Sequence, residues 1–106
     1  MTKIEKGSGD VFADGGVANP ELALAKAEIA RRIGVILKER KLNQTQAAEI
    51  LRIGQPRVSD LVHERLGRFS LENLIDFAKC LGTDVEIRMK SSTGRKARLR
   101  VSSAKA

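Results

Sequence analysis

Groups suited to covalent or metal chemistry are scarce in this chain. Its one cysteine, Cys80, sits among apolar neighbours in LIDFAKCLG, and its one histidine is His63. A lone thiol closes no internal disulfide, and one thiol with one imidazole falls short of the ligand set of a structural zinc site. The neighbours of Cys80 predict a buried, inert core thiol. Directed hydrogen bonding is better served. In RIGQPRVSD, Arg52 to Asp60, two guanidiniums, an amide, a hydroxyl and a carboxylate fall within one short run. Amide and guanidinium groups each present paired hydrogen-bonding atoms in a plane, suited to other planar edges or to oxyanions. On an arbitrary surface helix such residues are simply solvated. The elements that carry them decide whether they converge on one target.

The same run contains Gly54, Gln55 and Pro56 in the middle of an otherwise helical pattern. Proline clashes inside a helix but is tolerated at its first position, where the missing N–H would have had no partner. One helix therefore stops near Arg52 and another starts near Pro56. Upstream, Asn19, Pro20 and Glu21 form a helix start, and Leu22, Ala25, Ile29, Ile33, Ile36 and Leu37 recur at helical spacing, so a first helix is expected to about Arg40. Asn43 and Gln46 make a capping-box pattern, which predicts a second helix over Gln44 to Leu51 with Ala47, Ala48 and Leu51 inward. A third is expected over Gln55 to His63, with Val58, Leu61 and Val62 inward. Helices this short are marginal alone and must pack on the first.

After HERLGR, Ser70 is the next N-cap, and the stripe Leu71, Leu74, Ile75, Ala78 and Leu81 ends at Gly82, a good residue for the left-handed position after a helix. The period then changes. Val85, Ile87 and Met89 alternate with Glu86, Arg88 and Lys90, which predicts a half-buried strand. It has no hairpin partner nearby, so it should pair with its copy in a homodimer, with another protein, or with the Val11 to Phe12 segment. The expected organisation is a flexible arm over residues 1–18, one domain over 19–90, and a basic disordered tail over 91–106.

Composition limits the function classes. The net charge is +7, and residues 84–106 carry seven bases against two acids, which favours a polyanionic partner without proving one. No constellation of His, Cys and carboxylates appears, and GSGD at Gly7 to Asp10 lacks the strand and helix of a phosphate loop, so an enzyme is not expected. No cofactor or metal is expected. Three phenylalanines with no tyrosine or tryptophan provide little to stack unpaired bases, which disfavours RNA. The chain has neither an apolar run of membrane-spanning length nor a signal-peptide core at its start, so no membrane partner and a cytoplasmic location are expected.

Two short helices joined by a tight turn, with small Ala48 on the first and apolar Val58 and Leu61 on the second, match a helix-turn-helix. The fold class expected is mainly α, with four to five helices and one C-terminal β-strand paired across a dimer. NQTQAAEILRIGQPRVSDL resembles the Xre family of phage-repressor-like helix-turn-helix proteins, and the resemblance covers Leu22 to Leu81. More narrowly, GSGDVFADGGVANPELALAKAEIARRIGVIL and QTQAAEILRIGQPRVSDLVHERLGRFSLENLIDFAKCLGTDVEI resemble HigA-like antitoxins of type II toxin-antitoxin operons. Many members of the family place glycine in the turn where this chain has Arg52. Either Arg52 is left-handed, or the turn is shifted to use Gly54.

The resemblance implies that the second helix of the motif enters the major groove, with Gln55, Arg57 and Asp60 facing base edges next to Pro56. Gln55 would read adenine and Arg57 guanine; Asp60 would accept from cytosine or orient Arg57. Gln44, Arg52, Ser59 and Arg65 would contact phosphates. His63 reads as an ordinary exposed histidine. Specificity would need two copies on an inverted-repeat, double-stranded operator, joined through Val85, Ile87 and Met89. The implied function is a repressor that neutralises a co-encoded toxin of the RelE/HigB type, with GDVFADGGVANP as a candidate contact. The alternative is a stand-alone Xre-type transcriptional regulator.

Overall fold

The computed structural model describes residues 19–102, and the Val11 to Phe12 segment and the rest of the expected arm lie outside them. Four helices follow in order: α1 (Pro20–Glu39), α2 (Gln44–Leu51), α3 (Gln55–Val62) and α4 (Leu71–Cys80). Their starts are set locally. Asn19 Oδ1 accepts from Leu22 N at 3.1 Å. Asn43 and Gln46 form a reciprocal capping box, with bonds of 2.8 and 2.9 Å. Ser70 and Asn73 form a second at α4. Each box satisfies two N–H groups that the first helical turn leaves without partners.

The helix ends share one device. At all four, a residue with positive φ follows the helix while the next N–H reaches back to the carbonyl five residues earlier: Leu42 to Leu37, Ile53 to Ala48, Arg65 to Asp60 and Thr83 to Ala78. This is the Schellman ending. Only α4 uses glycine there, Gly82 at φ 80°; the other three use Lys41, Arg52 and Glu64 at φ 56°, 62° and 58°. A side chain in that region costs roughly 1–2 kcal/mol, so the carbonyl bonds and the packing of the flanking helices must outweigh it.

α1 packs against α4 and α3, and α2 against α3. The core is built from Ile33 and Leu37 of α1, Ala47 and Leu51 of α2, Val58 and Leu61 of α3, and Leu74, Phe77, Ala78 and Leu81 at α4. Ala48 is half-buried beside it, as the closest approach of two short helices requires. Phe69, just before the cap of α4, is buried with them.

Two expectations are corrected, and one open alternative is decided. The first is the strand: among the described residues Val85 to Met89 form none. A strand exists by its ladder to a neighbour, and none within the described chain reaches this segment, so Ile87 and Met89 stand 79% and 91% exposed. The second is Cys80, which is exposed at the end of α4, its side chain turned off the stripe that buries Phe77, Ala78 and Leu81. The alternative decided is the turn: Arg52 is its left-handed residue, and Gly54, at a φ of −70° open to any residue, is not. No helix among the described residues is long and apolar enough to cross a membrane.

Candidate nucleic-acid interface

The polar run of the sequence becomes one surface formed by the start of α2, the Arg52–Ile53–Gly54 turn, the outer face of α3 and the loop after it. Val58 and Leu61 anchor α3 by its inner face, fully buried or nearly so. That leaves Gln55, Pro56, Ser59 and Asp60 on other faces, fully or partly exposed. No side chain caps α3, because Gly54 is its N-cap. The Gln55 side chain makes no hydrogen bond among the described residues and is exposed at the helix start. Gln44 is half-buried as the first residue of α2, directly after its capping box.

The structure brings three of the expected site residues into one network. Arg65, in the loop after α3, donates from Nε to Asp60 Oδ1 at 2.9 Å and from Nη2 to Ser59 Oγ at 3.4 Å. Asp60 is therefore paired with Arg65 and does not orient Arg57. As an exposed ion pair it contributes about 0–1 kcal/mol to stability, so its chief effect is to hold two polar side chains in register. His63 is exposed, and its Nδ1 lies 2.8 Å from the Ser59 carbonyl oxygen, so the ring folds back on its own helix.

Arg57 is half-buried and has a different setting. Its guanidinium carbon lies 4.5 Å from the centroid of the Phe69 ring. Its Nη2 donates to the Arg68 carbonyl at 3.4 Å. Phe69 is in turn packed edge-on by Phe77 of α4, at 5.8 Å and 82°. Arg52 is exposed at φ 62°, ψ 42°, and its guanidinium has no hydrogen-bond partner among the described residues. Four guanidiniums, those of Arg52, Arg57, Arg65 and Arg68, thus belong to the turn, α3 and the loop behind it. An array of that sign attracts phosphate.

Sequence reasoning missed Arg68 and Phe69. A signal for Phe69 was present: it directly precedes the N-cap Ser70, the position where an apolar residue staples the chain to the first turn of a helix.

The family model for a helix-turn-helix domain matches residues 11–90. A solved chain assigned as an XRE family transcriptional regulator superposes with a TM-score of 0.72 at 32% identity, over 81% of this chain and 97% of that one. The chain belongs to the XRE-type helix-turn-helix family. No curated protein matches it. The family assignment puts α2 and α3 in the roles of a helix-turn-helix pair, with α1 and α4 as the scaffold that holds their mutual angle. Such a pair lays its second helix in the major groove, N-terminal residues toward base edges.

Proposed function

We propose that this protein is a sequence-specific transcriptional repressor that binds a double-stranded, inverted-repeat operator as a homodimer, and that it is also the antitoxin of a co-encoded RelE/HigB-like toxin. The observation that carries the DNA-binding part is the exposed polar face of α3, with Gln55 exposed at its start and Arg52, Arg57, Arg65 and Arg68 carried by the turn before it, the helix itself and the loop after it. In this role Gln55 and Arg57 read base edges, and Asp60 does so while clamped by Arg65. Pro56, in the first turn of α3, lies between them. Gln44, Arg52, Ser59 and Arg65 hold phosphates, which fixes register without reading sequence.

One module covers too few base pairs for useful specificity. The exposed apolar residues Val85, Ile87 and Met89 are the proposed contact with a second copy, where pairing would supply the missing strand ladder. The antitoxin role rests on the resemblance of the chain, from GSGDVFADGG onward, to HigA-like proteins. Its test is co-expression: the short reading frame adjacent to this gene is expressed alone and with this protein, and cell density is followed. Toxicity relieved by co-expression supports the antitoxin role. Toxicity that persists, or is absent, leaves a stand-alone regulator.

A further inference from the structure

Arg57 is the one member of the proposed reading face whose guanidinium is held by the interior of the protein. Its ring partner, Phe69, is 2% exposed, and Phe77 of α4 packs edge-on against that ring. An aromatic relay therefore runs from the core through the α3–α4 loop to the base of the recognition helix. A guanidinium over a ring face is attracted by the ring's negative quadrupole, and the interaction strengthens as water is excluded. A guanidinium held over a ring can still donate through the N–H groups that do not face the ring. One of them is used by the Arg68 carbonyl.

We infer that Phe69 is a specificity-determining positioning residue: it never touches DNA, but sets the plane and direction of the Arg57 guanidinium before DNA arrives. This rests on the proposed role of Arg57 as a base reader. A long side chain that must be immobilised on binding forfeits part of its contact free energy, and a stacked one forfeits less. Bidentate recognition also demands a correct plane, because both donors must meet two acceptors of one base at once. Loss of the ring should therefore affect discrimination at one base pair and leave the phosphate attraction unchanged.

The experiment compares Phe69→Leu, Arg57→Ala and their double variant, in the full chain, on a duplex selected from a random pool by the parent protein and on a scrambled duplex. Leu81→Ala, a core truncation at the other end of α4, controls for loss of stability. Phe69→Leu is expected to weaken binding to the selected duplex by about three- to tenfold. It should relax preference at the same base pair that Arg57→Ala relaxes, keep the parent's salt dependence, and cost nothing further when Arg57 is already alanine. Equal losses on both duplexes, a loss matched by Leu81→Ala, or additive losses in the double variant would overturn the role of Phe69. So would parent-like binding by Phe69→Leu when Arg57→Ala binds poorly. If Arg57→Ala itself keeps the parent's affinity and base preference, the base-reading role of Arg57 fails, and the positioning role fails with it.

Discussion

Replacing Arg52 by glycine should stabilise the fold and weaken DNA binding in the same variant. Arg52 follows α2 at φ 62°, ψ 42°, while its neighbour's N–H closes the helix end on the Ala48 carbonyl at 3.2 Å. A side chain in that region costs roughly 1–2 kcal/mol, and glycine returns roughly 0.5–1 kcal/mol of that through its freer unfolded state. The net gain is about 1 kcal/mol, which for a domain of this size raises Tm by about 4–8 °C. The guanidinium is exposed and bonds to no side chain or carbonyl among the described residues, so its removal breaks no contact there. In the proposed role it neutralises one phosphate, and glycine should then lower affinity for all duplexes and reduce the slope of log affinity against log salt by about 0.9. Thermal melting and fluorescence anisotropy over a salt series measure the two effects. Arg52→Ala separates them, because it removes the charge but keeps the strain: its DNA binding should match the glycine variant while its Tm stays near the parent's. A glycine variant that melts no higher than the alanine variant would refute the strain account, and a parent-like salt slope in both would refute the phosphate contact.

Truncation after Ser91 removes Arg95, Lys96, Arg98, Arg100 and Lys105; affinity should fall for specific and scrambled duplexes alike and the salt slope should flatten, as titration would show. Gly34 lies inside α1, and a Cβ there would meet nothing within 4 Å. Gly34→Ala should accordingly raise stability by about 0.5–1 kcal/mol, read by denaturant titration, whereas a drop would mean that α1 needs that space. Ile87→Lys places a charge on a residue 79% exposed in the single chain, so it should leave Tm unchanged at low concentration and shift the protein from dimer to monomer in light scattering. An unaltered mass would remove Ile87 from the proposed interface.

Most helix limits were legible because caps act within four residues of chain. Asn19, the Asn43–Gln46 pair, Ser70 and Gly82 each satisfy backbone groups of their immediate neighbours, so side-chain type and spacing suffice to read them. The inner faces of α1 to α3 followed from periodicity, since Ile33, Val58 and Leu61 are buried wherever an amphipathic helix meets a core. The strand failed for the opposite reason. Alternation records which side chains prefer burial, but a ladder needs a second backbone, and none of the described chain supplies one.

The list of polar residues, their order along a short helix after a tight turn, and the membership of that helix in a helix-turn-helix are properties of local spacing, and the amino-acid order alone determines them. Which partner each polar residue takes is not local. Arg57 meets Phe69 and Asp60 meets Arg65 only because the loop after α3 folds back along it. Arg52, with Lys41 and Glu64, accepts a left-handed backbone that its side chain disfavours, because packing the next helix against the core outweighs about 1 kcal/mol of strain. Tertiary structure decides these points because each is a competition between a small local preference and the larger free energy of closing the core.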